Sequence, residues 1–224
     1  MQSISDVALL SIFEHLPITD RLTARSVCKR WTRLLQLNVL RRNLDFTTST
    51  NFIRGVRKRR HDSKCERYVN EKCFCSWRRQ MKLFQFGGET TRILRLPKCI
   101  DVAAIGWLMH NRYVNLIKLD ITLLNFETEV DFCNFPKGLL DLTVRVETRS
   151  DELQRRWVPI NVEYLQDVRR LVFESAFLSH RDGCSITKKL IRLESLTMLR
   201  CYLRTRLQSC ERVKLQFVEC VVIS

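Results

Sequence analysis

Glycine and proline are scarce in this chain, 6 and 4 among 224 residues. A turn-dense all-β sandwich needs both in quantity, so their scarcity argues against that class and for helices or a regular strand array. No apolar run reaches the length of a membrane span, and the first sixteen residues hold Asp6 and Glu14 with no basic leader. Neither a membrane partner nor a secretory route is expected. Histidine is equally sparse. His15, His61, His110 and His180 stand far apart, and no His-Glu-x-x-His motif, phosphate-cradling glycine loop or nucleophile elbow occurs. The chain therefore reads as a non-enzyme, with no cofactor and no resident metal. Acid is the minority charge: 24 Asp and Glu stand against 39 Lys and Arg, a net charge of +15.

What is present is ordinary for a folded soluble protein, 45% hydrophobic and 28% charged, and the length allows one or two domains. The ten cysteines are spaced irregularly from Cys28 to Cys220. In the expected cytoplasmic or nuclear setting they stay reduced, and most read as small buried hydrophobes.

Near the amino terminus Leu9, Ile12, Phe13 and Leu16 recur at helical spacing, with Ser5 or Asp6 as a cap ahead of them. Pro17 ends that helix, Asp20 offers the next cap, and Leu22 and Ala24 begin a second apolar face. Val27, Trp31 and Leu34 then fall at i, i+4 and i+7, opposite Lys29, Arg30 and Arg33. Three short amphipathic helices in about forty residues are too few for a self-sufficient core, so some other surface must cover the apolar remainder.

The ordered set, a Leu-rich helix, Leu16-Pro17, Asp20-x-Leu22 and Val27-Cys28-x-x-Trp31, resembles the F-box; Ile4-Ser5 stands where that family opens with Leu-Pro. The resemblance implies docking on a small adaptor that joins the chain to cullin and RING subunits of an SCF-type ubiquitin ligase. Carried over to matching positions, the adaptor-binding residues are Ile4, Leu9, Leu16, Leu22, Val27, Cys28 and Trp31, some of which must also pack inward.

Beyond residue 40 the chain repeats. Leu-x-Leu cores recur at Leu94/Leu96, Leu119/Ile121, Leu142/Val144, Leu171/Phe173, Leu196/Met198 and Leu215/Phe217, separated by 25, 23, 29, 25 and 19 residues. Leu44-Asp45-Phe46 echoes them about two repeat lengths earlier. The pattern Leu-x-x-Leu-x-Leu-x-x-Cys-x-Leu is complete in Leu193, Leu196, Met198, Cys201 and Leu203. Cys220 and Cys99 hold the same place in two other copies, whereas Leu124, Glu147 and Ala176 hold it elsewhere. Such a cysteine turns inward and satisfies backbone groups that stacking would otherwise bury unpaired. Between the cores, Asp101 to His110 is an expected helix whose apolar face is Val102, Ile105, Leu108 and Met109.

The whole is similar to F-box proteins of the leucine-rich-repeat class. That resemblance implies an α/β fold: a three-helix F-box at residues 1–40, then irregular leucine-rich repeats at 41–224. The solenoid would carry a parallel sheet on its concave face and helices or irregular turns on its convex face. It also implies a substrate receptor whose repeats hold the protein to be ubiquitinated. Residues flanking the strand cores point to that face, among them Arg95, Lys118, Asp120, Arg145, Arg170, Glu174 and Lys214. The excess of bases suits an acidic or phosphorylated protein target.

Residues 54–82 interrupt the array with 11 Arg and Lys against Asp62, Glu66 and Glu71. Arg57, Lys58, Arg59 and Arg60 read as a solvated loop or a nuclear-import signal. His61, Cys65, Cys73 and Cys75 are poorly spaced for zinc. Tyr68, Phe74 and Trp77 among the cations leave a nucleic-acid-binding reading open, as the less favoured partner. A scaffold that holds the adaptor without ligase activity is the other alternative. The sequence stops at Val221-Val222-Ile223-Ser224, directly on an expected strand, so this last turn is expected to be frayed or sticky.

Overall fold

A computed structural model of the chain describes residues 4–47, 84–96, 102–124, 130–147, 160–178, 186–203 and 212–222. The basic segment 54–82, including Arg57, Lys58, Arg59 and Arg60 and the zinc candidates, lies outside them, as does Cys99. The chain divides into two compact units, Met1–Thr91 and Arg92–Ser224. Among the described residues, no helix is long and apolar enough to cross a membrane.

The first unit opens with α1 (Asp6–His15), α2 (Ile18–Ala24), α3 (Lys29–Leu35), a single turn α4 (Asn38–Arg41) and the short strand β1 (Asn43–Asp45). Ser5 caps α1, its hydroxyl accepting from the Ala8 amide at 3.2 Å. Asp6 in the first turn holds Arg30 of α3 at 2.6 Å. Leu9, Phe13, Ala24, Leu34, Leu35 and Leu40 form the core, with Leu10, Leu16 and Trp31 packed at its rim. Trp31 meets Phe13 edge-on, ring centres 5.2 Å apart. Arg21 ties the helix ends together. Its guanidinium donates to the carbonyls of Leu16 (2.9 Å), Leu40 (2.9 Å) and Glu14 (2.7 Å), acceptors that the short helices cannot satisfy alone. Burial lowers the Arg21 pKa against the pull of Glu14.

Three local expectations change. α2 starts at Ile18 on Pro17, so Asp20 sits inside the first turn, where its charge favours the helix N-terminus, instead of capping it. α3 starts at Lys29, which leaves Val27 off its face. Ile12 is exposed, because the core takes the Leu9 and Phe13 side of α1.

In the second unit the strands are β2 (Ile93–Arg95), β3 (Lys118–Leu124), β5 (Asp141–Glu147), β7 (Arg170–Glu174), β9 (Ser195–Leu199) and β11 (Lys214–Val218). They pair in parallel and in that order. The leucine cores are in register: Leu94, Leu119, Leu142, Leu171, Leu196 and Leu215 are successive partners. Alternation does the rest, since a period of two puts Leu119, Ile121 and Leu123, then Leu142, Val144 and Val146, on one buried side. Helix α5 (Val102–Asn111) precedes β3 and buries Ile105, Leu108 and Met109. Two smaller parallel sets follow, β4 (Val130–Asp131) with β6 (Ile160–Asn161), and β8 (Phe177–Leu178) with β10 (Tyr202–Leu203) and β12 (Val221–Val222). The described fold is thus mixed α/β, a parallel sheet with few helices.

Strands β7, β9 and β11 end alike. Ser175, Arg200 and Glu219, each the residue just past the strand, take left-handed φ values of 56°, 51° and 53°. This bend swings the next residue, Ala176, Cys201 or Cys220, toward the stack. The Cys201 thiol donates to the carbonyls of Phe173 and Leu199, both at 3.4 Å, and Cys220 donates to Met198 at 3.3 Å and Val218 at 3.5 Å. Ala176 holds the place without a donor. Of the described cysteines, Cys201 is buried, Cys220 intermediate, and Cys28 and Cys133 exposed, so the expectation that most are buried does not extend to this set.

Two outcomes follow from these bends. Cys201→Ala removes both sulfur bonds and should lower stability by about 1 kcal/mol in urea unfolding, whereas Ser175→Gly relieves a left-handed side-chain conformation and should raise it by up to about 1 kcal/mol. Burial pushes the Cys201 thiol up to about 11. Iodoacetamide near pH 8 should therefore label Cys28 and Cys133 well before Cys201, read by peptide mass spectrometry.

Candidate docking surfaces

In the first unit the predicted docking residues separate into two groups. Leu9 is buried at 3% exposure and belongs to the core, with Leu16 and Trp31 half-buried against it. Leu22 is also half-buried. Ile4 and Val27 are turned outward, at 56% and 61% exposure, and Cys28 is exposed beside them. Arg30 brings the two ends of the segment together, because it reaches both the Asp6 carboxylate and, at 2.5 Å, the Ile4 carbonyl. The α3 start therefore lies beside the strand-like lead-in to α1. The exposed Val27-Cys28 pair and Ile4 are held by a finished core, without contributing to it.

Val7 and Ile12 on α1 are exposed as well, and sequence reasoning did not select them as docking residues. For Val7 the signal was available. Once Leu9 and Phe13 are assigned inward as an i, i+4 pair, position 7 lies off that stripe, whereas Ile12, three residues after Leu9, shares its spacing and its exposure is set by where the neighbouring helices pack.

In the second unit the predicted recognition residues lie on the side of the sheet opposite the leucine cores. Register sets them in rows: Lys118, Asp141, Arg170, Ser195 and Lys214 form one, and Arg95, Asp120, Thr143, Val172, Thr197 and Gln216 the next. Thr122, Arg145 and Glu174 begin a third. Asp141 was missed by sequence reading, although it precedes Leu142 as Lys118 precedes Leu119 and Arg170 precedes Leu171.

This face is laced by ion pairs. Arg145 lies between Asp120 and Glu174, donating to Glu174 at 2.8 Å, and Glu174 also holds Arg200. Arg170 grips Asp141 with two nitrogens, at 2.5 and 2.7 Å, and Lys118 approaches the same carboxylate at 3.6 Å. Asp120 and Asp141 are buried, so their charges need these partners. Partial burial pulls the Arg145 pKa down, but the hydrogen bond and charge of Asp120, then those of Glu174, outweigh it and hold it above the usual value. Lys214 is exposed and makes no ion pair among the described residues.

The arrangement offers contact surface and paired charge. Among the described residues, no three His, Cys, Asp or Glu side chains are grouped to hold a metal ion.

No curated protein matches the chain. Residues 1–43 match the F-box domain. F-box domains bind Skp1-type adaptors in SCF complexes, and F-box proteins are generally non-catalytic adaptors. With its exposed Ile4 and Val27-Cys28 standing clear of a closed helical core, the amino-terminal module of this chain is an F-box domain.

Proposed function

We propose that this chain is a substrate-recognition subunit of an SCF-type ubiquitin ligase and that its second unit is of the leucine-rich-repeat class. The observation that carries the first half is the outward apolar set, Ile4, Val27 and Cys28, on an F-box whose own core is already filled. The repeat reading is supported by in-register leucine cores in parallel strands of successive repeats. It is supported also by the left-handed bend at Ser175, Arg200 and Glu219 and by the inward thiols of Cys201 and Cys220. The chain acts in the cytoplasm or nucleus, through the adaptor and then the cullin and RING subunits.

The receptor contributes proximity. Holding a target lysine near a charged conjugating enzyme raises effective concentration and needs no catalytic group from the receptor. The target lies on the polar face of the sheet, against Arg95, Lys118, Asp120, Arg145, Arg170, Glu174 and Lys214. An acidic or phosphorylated target has Lys214 available and adds to the pairs that Lys118, Arg145 and Arg170 make with Asp120, Asp141 and Glu174. Binding beside standing ion pairs selects for geometry as well as charge.

Val27→Asp tests the docking half without touching the core. Affinity capture with this variant is expected to lose adaptor and cullin together while proteins held by the second unit remain; equal adaptor recovery by the wild type and the variant contradicts the assignment. Cys28 supplies an independent reading, because alkylation of the free chain should be rapid and should fall at least about tenfold once the adaptor covers it. Unchanged labelling in the complex would place the docking surface elsewhere.

A further inference from the structure

On the polar face of the sheet, from β3 onward, the first row of register partners reads Lys118, Asp141, Arg170, Ser195, Lys214: cation, acid, cation, hydroxyl, cation. Neighbouring strands stand about 4.8 Å apart. Each short residue of the row is therefore the floor of a shallow cleft between two long basic side chains. In the first cleft the floor is Asp141, which is buried, and its carboxylate takes both walls, Arg170 through two nitrogens at 2.5 and 2.7 Å and Lys118 at 3.6 Å. The second cleft has walls of the same kind and a neutral floor. Ser195 brings a hydroxyl where Asp141 brings a charge.

The donors of the second cleft are available. β9 buries Leu196 and Met198, so Ser195 and Thr197 stand on the opposite side, with Thr197 adding a second hydroxyl two residues along the strand. Lys214 is exposed, and neither its ammonium nor the Ser195 hydroxyl is bonded to another group among the described residues. The Arg170 side chain is 68% exposed and uses Nε and Nη2 on Asp141, which leaves Nη1 for a ligand. The acids closest by register and sequence, Asp141 and Glu194, are each held by cations, Asp141 by Arg170 and Lys118 and Glu194 by Arg169.

We propose that the cleft of Arg170, Ser195 and Lys214 is a phosphoryl subsite, taking a phosphoserine or phosphothreonine side chain of the bound protein in the place that Asp141 fills one cleft away. The subsite presupposes the receptor role and puts its charge contact on β7, β9 and β11. Three donors from three strands favour phosphate over carboxylate. A phosphoryl group presents three oxygens, one each for the guanidinium, the hydroxyl and the ammonium, whereas a carboxylate has two. Arg170 keeps its grip on Asp141 as the phosphate binds, so no buried charge loses its partner. Arg145 offers no such place, because it already lies between Asp120 and Glu174.

N-acetyl-O-phosphoserine amide, titrated into the full chain and followed by amide NMR, should shift Ser195, Thr197, Lys214 and Gln216 saturably at millimolar concentration. The matching glutamate compound should bind about fivefold more weakly, and Lys214→Ala should weaken the phosphoserine compound by a similar factor, about fivefold, while Lys214→Arg retains it. Lys214 is exposed and outside the core, so its substitution leaves the fold in place. Ser195→Asp should abolish binding, because the introduced carboxylate takes both walls as Asp141 does. No saturable shift, shifts centred on Lys118 to Thr122, an equal response to the glutamate compound, or undiminished binding by Lys214→Ala each overturn the subsite. In affinity capture from a lysate, phosphatase treatment should strip the proteins held by the second unit and leave the adaptor in place. Target capture indifferent to both phosphatase and Lys214→Ala overturns the subsite while the receptor role stands. Loss of adaptor capture beside intact phosphoserine binding removes the ligase role and upholds the subsite.

Discussion

From Ile93 to Val218 each strand of the sheet is hydrogen-bonded to its parallel neighbour, and every other feature of the second unit inherits that pairing. Lys118 donates to Arg92, Asp141 to Ile117, Arg170 to Leu140, Ser195 to Arg169 and Lys214 to Glu194, the same bond at each entry to the sheet. A parallel pair cannot be closed by a tight hairpin, so each crossover must bring the chain back to the same end. Fixing register in this way fixes side-chain neighbours as well. Arg145 finds Asp120 and Glu174 at sequence separations of 25 and 29, Arg170 finds Asp141 at 29, and Cys201 finds the Phe173 carbonyl at 28. Outside the sheet the exposed pair Arg169–Glu194 repeats the step at 25. The exposed pairs add little individually. Their common spacing shows that the backbone places them.

The first unit meets a different constraint. Its helices are short, so a large share of their carbonyls lacks an internal partner. Arg21 answers three of these at once, at Glu14, Leu16 and Leu40, and can do so because its guanidinium presents several donors in one plane. A lysine at this position supplies a single ammonium centre and cannot span all three. The same clamp closes the helices over Leu9, Phe13 and Leu35. Ile4 and Val27 are then surplus to the core, and an apolar pair exposed for this reason is free to serve a partner.

Much of this arrangement was legible in the residues. A two-residue alternation survives irregular loop lengths, which is why Leu94, Leu119, Leu142, Leu171, Leu196 and Leu215 could be aligned although their separations range from 19 to 29. The inward thiol of Cys201 was legible for the same reason, being tied to the strand before it. Helix α5 followed from its apolar stripe. Pairing across strands was harder to read. Whether Arg145 stands free or between Asp120 and Glu174 depends on the positions of two other strands, which no local pattern encodes. Reading one strand at a time gave a row of cations and overlooked Asp141. Ser175, Arg200 and Glu219 were hidden too, because left-handed backbone is usually announced by Gly or Asn and here is imposed by the stack. At the amino terminus, Pro17 shifted the start of α2 and made Asp20 a first-turn residue, a change of three positions that capping preferences alone do not decide.

The paired face has a physical consequence for any acidic ligand. A carboxylate or phosphate approaching Arg145 meets a guanidinium already held by Asp120 and Glu174, and Asp120 is buried. If the ligand displaces Asp120, it leaves a buried charge without its partner, and the cost of that offsets most of the new attraction. Arg170 poses the same problem, because Asp141 is buried and Lys118 at 3.6 Å is a weaker substitute for a bidentate grip. Favourable contact is therefore confined to a ligand that adds to the existing pairs: one that reaches the unused donors of Arg145 and Arg170 while hydrogen-bonding to Thr143, Thr197 or Gln216 in the row between them. Net charge alone would admit any polyanion, whereas a face neutralised in this pattern admits few, and it is the burial of Asp120 and Asp141 that makes the difference.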